Sequence, residues 1–341
     1  MSRHTAMIRG ARCLSSGAST TARREATLSR IKSLSLPVVA APMFIVSNPA
    51  LVIAQCTSGV VGSFPALNAR PQPELRAWLT EITDALAKHD ADNPNSPAAP
   101  FAVNQIVHRS NNRLEEDMAL CEEFEVPIII TSLGAQPAVN ERVKAWGGIT
   151  LHDVIDDRFA RKAVEKGVDG LICVAAGAGG HAGLASPFAV VAETRKWWDG
   201  PLLLSGSIAT GDAVLAARAV GADLAYVGSA FIATDEANAV SEYKEAIVEC
   251  SSKDIVLSSL FTGVKGNYLK PSIVNSGLDP DNLPEGDVTK MNFGSGDTNP
   301  AKAWKDIWGC GHGCGAIEEV APAAEVVARL KREYAAAKAR L

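Results

Sequence analysis

The residue with the clearest chemical setting is His181, which lies in the glycine-rich segment AGAGGHAG of residues 176–183. Imidazole exchanges a proton near neutral pH, so a histidine beside a ligand can act as a general base. Glycine at this density lets the backbone pass close to a bound molecule. We therefore predict that His181 is catalytic, with a hydrogen-bonded loop histidine as the alternative.

The same glycines match a dinucleotide-binding fingerprint if Gly177, Gly179 and Ala182 are taken as its three positions. That motif needs an acidic residue about 20 residues further on, where it binds a ribose. The sequence has LLLSGSI at that place. A Rossmann-type site is excluded on this ground.

Small residues follow two later apolar segments, as SGS in one case and GS in the other. Such residues expose backbone N–H groups, and many α/β barrels bind phosphate at the loops after their last two strands, with a helix N-terminus behind them. We predict a phosphorylated cofactor held by Ser205, Gly206, Ser207, Gly228 and Ser229.

The earlier apolar segments end in uncharged groups, namely Pro42-Met43, Asn68 and Asn104-Gln105. Amides give directed hydrogen bonds without charge, which suits a flat, uncharged heterocycle better than a metal. The alternative is that Asn68 closes a turn and Met43 fills the core.

Other histidines and cysteines form weaker patterns. Cys310, His312 and Cys314 alternate with glycine but lack a fourth ligand, whereas zinc sites normally use two separated ligand pairs, so we predict no metal site. His152, at the end of an apolar segment, is a second imidazole candidate, with a capping or core role as the alternative. We expect His108 to be solvated.

Eight apolar segments alternate with amphipathic ones, and they begin near Pro37, Val60, Phe101, Val126, Gly148, Val168, Pro201 and Ala222. Their spacing is about 26 residues, which is what one strand, one helix and two connections occupy. A doubly wound open sheet would show similar strands, but the number eight favours a closed (β/α)8 TIM barrel.

The remaining chain divides around this barrel. We predict a barrel core over residues 31–235, followed over 236–341 by C-terminal helices and a lid-like insertion. Thr210 and Gly221 are expected to begin and end one barrel helix. The polar stretch 262–299 is expected to form a lid or substrate wall, with disorder as the alternative, and residues 322–341 an amphipathic helix that closes the barrel.

The amino-acid composition limits the classes of molecule that the chain is expected to bind. With 33 basic and 38 acidic residues the net charge is −5, so the chain has no positive field for nucleic acid or anionic lipid. It also lacks an apolar run of about 20 residues, which a membrane span needs. Residues 1–30 are basic and Ser-rich, which predicts a disordered or targeting leader. Seven scattered cysteines indicate a reduced compartment: the cytoplasm, or the mitochondrion if the leader is a transit peptide.

Several of these segments together resemble the nitronate monooxygenase family, formerly called 2-nitropropane dioxygenases. They are APMFIVSNP, GVVGSFPALNARP, FAVNQ, the stretch from HDVIDDRF to GAGGHAG, and SGSIATGDAVLAARAVGADLAYVGSAFIAT. The likeness covers about residues 35–235 and, more loosely, the tail WGCGHGCGAIEEVAP.

The resemblance implies a metal-free TIM barrel that binds FMN and oxidises alkyl nitronates with O₂ to a carbonyl compound and nitrite. By position, Pro42 and Met43 would lie against the flavin ring, and Asn68 and Gln105 would bond its polar edge. Gly180 and the catalytic His181 would face its reactive side. The phosphate would be held by Ser205, Gly206, Ser207, Gly228 and Ser229.

Two alternatives remain open at this point. Neighbouring families share the barrel and FMN but take electrons from NAD(P)H to reduce quinones or enoyl thioesters. A barrel that binds a phosphorylated ligand without redox chemistry is the third hypothesis. The tail also departs from the family's usual GQGVG, since residues 311–315 read GHGCG. The expected partners are a small nitronate and O₂, and a homodimer is left open.

Overall fold

The chain folds around a ring of parallel strands. A computed structural model describes residues 19–287 and 306–341. Its strands are β1 Val38–Ala40, β2 Gly62–Pro65, β3 Phe101–Ile106, β4 Ile128–Ser132, β5 Ile149–Val154, β6 Gly170–Val174, β7 Gly180–His181, β8 Leu202–Ser205, β9 Leu224–Val227, β10 Ile255–Ser258 and β11 Gly266–Leu269. Eight of them form one sheet in the order β1-β9-β8-β6-β5-β4-β3-β2.

The two ends of this sheet meet. Val39 of β1 and Val61, just before β2, form a parallel bridge, and Ala40 N–H donates to the Val61 carbonyl at 2.8 Å. All eight strands begin within a few residues of their predicted positions. The predicted (β/α)8 barrel is therefore confirmed.

Helices alternate with the strands. They are α1 Thr20–Lys32, α2 Pro49–Thr57, α3 Glu74–Asp92, α4 Leu114–Glu123, α5 Pro137–Trp146, α6 Asp157–Glu165, α7 Pro187–Arg195, α8 Gly211–Ala219, α9 Ser229–Ile232, α10 Ser241–Glu249, α11 Lys270–Asn275 and α12 Ala323–Arg340. The Thr210 side chain accepts from Ala213 N–H at 3.1 Å, and Gly221 follows α8 at φ +112°, as predicted. In the part of the chain described here, we find no helix that is both long and apolar enough to cross a membrane.

The helix α1 begins inside the stretch that the sequence assigned to a leader and ends two residues beyond it. Its Ile31 is fully buried and belongs to the apolar cluster that fills the barrel, together with Val39, Ile128 and Ile149. The boundary expected at residue 30 therefore falls within a packed helix. Apolar residues among the arginines anchor it, which a count of basic residues does not show. Residues 1–18 of the expected leader lie outside the described residues.

Inside the barrel, every second strand residue points to the axis. The inward residues near the N-terminal ends of the strands are apolar, for example Ile128 and Ile130 of β4 and Ile149 and Leu151 of β5. At the C-terminal ends the inward residues become mostly polar, and this change marks where the core stops.

The C-terminal insertion builds a second, three-stranded antiparallel sheet in the order β10-β11-β7. In it Gly266 pairs with His181 and Asn267 with Gly180. The expected wall over residues 262–299 is thus a strand and the short helix α11 in its first part, and residues 288–299 lie outside the described residues.

The last helix closes the ring of helices, as expected. It packs against α8 and α2. Glu333 accepts from Gly211 N–H at 2.7 Å, and Lys331 donates to the Ser58 carbonyl at 2.8 Å, so polar groups of α12 join both neighbours.

We expect Ile31→Ala to lower the free energy of unfolding by about 2–5 kcal/mol, because it leaves a cavity at the fully buried end of α1. Urea denaturation measures this. Lys32→Ala is the matched control, since Lys32 is exposed and the change removes no buried surface. Equal effects of the two substitutions would show that α1 does not seal the barrel.

Candidate functional site

A cavity of about 680 Å³ opens at the C-terminal ends of the barrel strands. Its lining comes from the loops after several strands, from the sheet that carries β7, and from the tail before α12. Ligand sites of this size range are typical of small-molecule enzymes, and this end of an α/β barrel is where active sites lie.

The structure brings most of the predicted site residues together. Nine of the eleven line this one cavity: Pro42, Met43, Gly180, His181, Ser205, Gly206, Ser207, Gly228 and Ser229. The residues expected to contact a flat ring, to accept a proton and to bind a phosphate therefore line the same cavity.

Asn68 does not line the cavity. Its side-chain amide donates to the carbonyls of Met43 at 3.0 Å and Ser47 at 2.8 Å, and its oxygen accepts from Ile45 N–H at 3.0 Å. The residue thus holds the loop after β1 in shape. The turn-closing alternative describes its contacts better than the expected contact with a ring.

Gln105 also points away from the cavity. It is buried behind β3, where its side-chain amide lies 3.4 Å from Cys121 Sγ of α4. Its neighbour Asn104 lines the cavity instead. Because strand residues alternate between the two faces, an expectation displaced by one residue selects the wrong face.

The loops expected to hold phosphate are packed closely together. A Cβ atom on Gly177 would lie 2.2 Å from Ser207 Oγ, and one on Gly206 would lie 2.7 Å from the Ala176 carbonyl oxygen, so both positions need glycine. The α8 N-terminus behind them is already engaged, since Gly211 N–H donates to Glu333. A phosphate here would therefore depend on the loop N–H groups and serine hydroxyls.

The tail segment completes this side of the cavity. Gly311 N–H donates to Ser229 Oγ at 2.9 Å, and His312 N–H donates to the Gly177 carbonyl at 2.9 Å. Cys310 and Cys314 are buried while His312 is exposed, so the three do not converge. Within residues 19–287 and 306–341 we find no group of three residues placed to hold a metal.

His181 is held by the insertion. Its Nε2 lies 2.9 Å from Thr262 Oγ1, and that hydroxyl donates to the Val264 carbonyl at 3.1 Å. Thr262 therefore fixes the position of Nε2, and the tautomer of the ring determines which of the two groups donates. Burial lowers the pKa of His181 to about 4, which keeps the imidazole neutral at pH 7.

His152 and His108, which the sequence analysis also considered, have hydrogen-bond partners within the protein. His152 Nδ1 lies 2.7 Å from Thr131 Oγ1, and burial lowers the pKa of His152 to about 4. His152 also lines the cavity. His108 Nδ1 lies 2.8 Å from Ser110 Oγ in a partly buried loop, so this histidine is less solvated than expected.

The cavity floor is a ring of inward-facing residues, of which sequence reasoning gave Ser205 and the Asn104-Gln105 pair but not Ser132, Asp153 or Tyr226. Its polar members are Asn104 of β3, Ser132 of β4, Asp153 of β5, Ser205 of β8 and Tyr226 of β9. Extending the inward alternation of Ile149 and Leu151 by one step would have found Asp153.

Three of these residues form a chain of hydrogen bonds. Asn104 Nδ2 donates to Ser132 Oγ at 2.8 Å, and Ser132 Oγ donates to Asp153 Oδ2 at 2.5 Å. Asp153 Oδ1 is buried and has no hydrogen-bond partner among the residues described. Burial raises the pKa of Asp153 to about 6.

The lining also includes charged and apolar side chains on α6 and the loop before it. Lys162 and Lys166 are exposed, and Lys166 Nζ donates to the Ala135 carbonyl at 2.8 Å. Ile155 and Phe159, which also line the cavity, are exposed. This part of the lining can accept an amphiphilic anion.

We expect Asp153→Asn to raise the free energy of unfolding of flavin-free protein at pH 8 but not at pH 4. The folded-state pKa lies above the unfolded value, so the wild type loses stability as pH rises through about 6. The gain is about 1–3 kcal/mol. Urea denaturation at both pH values measures it. Asp199→Asn, on an exposed loop, is the control, and an equal gain there would contradict the assignment.

Comparisons with known proteins agree with this geometry. The nitronate monooxygenase family model matches residues 25–281. A nitronate monooxygenase from Paraburkholderia phytofirmans is 27% identical, over 87% of this chain and 92% of its own length. The (3aS,4S,5R,7aS)-5-hydroxy-7a-methyl-1-oxo-octahydro-1H-indene-4-carboxyl-CoA dehydrogenase of Rhodococcus jostii is 23% identical, over 73% and 67% of the two chains.

Among solved structures, a nitroalkane oxidase from Streptomyces ansochromogenes superposes with a TM-score of 0.76 at 22% identity, and the match covers 91% of this chain and 99% of the other. This likeness supports the barrel fold. Because the family model spans most of the chain, including β1 to β11, the chain belongs to the nitronate monooxygenase family and is an oxidoreductase.

Proposed function

We propose that the protein is an FMN-dependent nitronate monooxygenase, which oxidises alkyl nitronates, and nitroalkanes after deprotonation, with O₂ to a carbonyl compound and nitrite. The observation that carries the proposal is that His181 lines the same cavity as the small-residue loops after β8 and β9. This chemistry needs a proton acceptor and a phosphate-binding site that line the same cavity.

The residues present fit FMN in four ways. The cavity of about 680 Å³ falls within the usual range for such ligands. Ser207 and Ser229, with the N–H groups of Gly206 and Gly228, would hold the phosphate. Pro42 and Met43 would lie against the ring.

The buried Asp153 Oδ1, without a protein partner among the described residues, supplies a polar atom that a ligand can satisfy. When bound, the flavin supplies the electron transfer from substrate to O₂.

His181 would bind and deprotonate the substrate. Its neutral ring lines the cavity and is positioned by Thr262 at Nε2, so the imidazole would accept the α-proton of a nitroalkane. With a nitronate no proton is removed, and the same ring orients the anion. Thr262 is then a positioning residue, because it acts only through the imidazole.

The absorption spectrum of the purified protein tests the proposal. We expect a yellow protein with FMN absorption that consumes O₂ when propionate 3-nitronate or propyl-2-nitronate is added, and not with NADH alone. A colourless protein that cannot be reconstituted with FMN would contradict the assignment.

We expect His181→Asn to leave FMN bound but to lower turnover of neutral nitroalkanes by about 10²-fold or more, as loss of a general base does. The loss with nitronates should be smaller, because these need no deprotonation. Steady-state O₂ uptake with matched nitroalkane and nitronate pairs measures both.

His89→Asn is the matched control, since His89 lies on α3, is not among the residues that line the cavity, and has its Nε2 3.2 Å from the Ser96 carbonyl oxygen. Unchanged nitroalkane turnover in His181→Asn, with FMN bound, would remove the base assignment.

A second candidate function is an NAD(P)H-dependent FMN reductase of quinones or enoyl thioesters. Lys162 and Lys166 beside the exposed Ile155 and Phe159 favour it, because a coenzyme A thioester joins phosphates to an acyl chain. The Rhodococcus jostii relative is a carboxyl-CoA dehydrogenase by name. Rapid bleaching of the flavin by NADH without oxygen would favour this candidate over the nitronate monooxygenase.

A further inference from the structure

The floor of the cavity contains a carboxyl group that the proposed reaction does not use. Asp153 is the last inward residue of β5, after Ile149 and Leu151, and it lines the cavity. It is not among the residues that the family resemblance points to.

The hydrogen bonds around Asp153 fix which of its oxygens can carry a proton. The Asn104 amide donates to the Ile130 carbonyl at 3.1 Å and to Ser132 Oγ at 2.8 Å, so both of its protons are used. Ser132 Oγ accepts that bond and therefore directs its own proton to Asp153 Oδ2. Oδ2 is an acceptor, and a proton on this carboxyl must lie on Oδ1.

Asp153 Oδ1 is buried and lacks a hydrogen-bond partner within the described residues. Among the described residues no cation compensates a charge there: the Ser132 hydrogen bond is the one interaction they supply that favours the carboxylate, and burial raises the pKa of Asp153 to about 6. A buried carboxyl oxygen without a hydrogen-bond partner costs folding free energy in either protonation state, unless a ligand forms a hydrogen bond with it.

The strand order places Asp153 across the barrel from β1, and two and three strands away from β8 and β9, which precede the phosphate loops. Around the ring β1-β9-β8-β6-β5-β4-β3-β2, the strands β5, β4 and β3 lie opposite β1, β9 and β8 respectively. Small residues after β8 and β9 would hold the phosphate, and Pro42 and Met43 follow β1. A molecule that extends from the loops after β8 and β9 across the floor brings its far end to β3 and β4, and β4 is the neighbour of β5, which carries Asp153.

From these observations we propose that Asp153 donates a hydrogen bond from Oδ1 to the isoalloxazine ring of FMN, and that FMN binding therefore retains a proton on this carboxyl. The inference rests on the proposed function, because it requires FMN in the cavity. An oxidised isoalloxazine offers carbonyl oxygens and ring nitrogens as acceptors at its polar edge, the role that the sequence had given to Asn68 and Gln105.

The proposal predicts how affinity for FMN depends on pH. A protonated donor binds the ring, whereas the carboxylate has no proton to give and would be buried beside electron-rich atoms. The dissociation constant should therefore rise with pH, by up to tenfold for each pH unit above the pKa of the free protein.

Other titratable groups near Asp153 do not mimic this dependence. Burial lowers the pKa of both His152 and His181 to about 4, and it raises the pKa of the Tyr226 phenol well above its usual value. These groups stay neutral between pH 5.5 and pH 8. The charged side chains of the lining are Lys162 and Lys166, and both are exposed.

The test measures the dissociation constant of FMN by fluorescence quenching at pH 5.5 and pH 8, for the wild type and Asp153→Asn. The asparagine amide keeps a donor at the Oδ1 position but does not titrate. We expect the two proteins to agree within about threefold at pH 5.5, and Asp153→Asn to bind FMN about tenfold or more tightly than the wild type at pH 8.

Two further variants sharpen the comparison. Asp153→Ala lacks the donor and should bind FMN about tenfold more weakly than the wild type at pH 5.5. Asp199→Asn changes the net charge equally on an exposed loop and should follow the wild type at both pH values. The phosphate of FMN itself ionises near pH 6, but that effect is common to all four proteins.

The outcomes separate the two proposals. If the wild type binds FMN with the same pH dependence as Asp153→Asn, the carboxyl does not contact the ring and this inference is overturned while the proposed function stands. If the wild type binds no FMN at either pH, the proposed function fails first, and this inference fails with it.

Discussion

The site depends on one geometric constraint: a strand in a closed barrel can direct only every second side chain to the axis. On β5 this rule places Ile149 and Leu151 in the apolar interior and then Asp153 at the floor of the cavity. The intervening His152 has its Nδ1 beside Thr131 Oγ1, and it reaches the cavity lining without belonging to the inward series. The same alternation therefore supplies both the core that stabilises the barrel and the polar groups that a ligand meets.

That constraint also explains which parts of the molecule the sequence predicts well. The barrel strands are short and strongly apolar, and Thr210 and Gly221 mark helix ends through local chemistry, so both were correct without tertiary information. The small residues after β8 and β9 reach the cavity because position along a barrel strand determines which end a loop occupies.

The errors arise where one residue of register or a distant contact decides the outcome. Gln105 and Asn104 are adjacent amide residues. Which of them reaches the cavity depends on which face of β3 points to the barrel axis. The Asn68 amide donates hydrogen bonds to the carbonyls of Met43 and Ser47, which lie more than twenty residues upstream. His181 Nε2 is positioned by Thr262, which lies 81 residues further along the chain. No local pattern reports such pairings.

The wall beside Ser229 has a consequence for biosynthesis. Its N–H donors come from Gly311 and His312, more than eighty residues after the last barrel strand. A nascent chain that has already released all eight strands from the ribosome still lacks this wall, and it also lacks the helix α12 that seals the ring. The cavity is therefore complete only once residues that follow all eight barrel strands are in place, so the strands and their own loops do not form it by themselves.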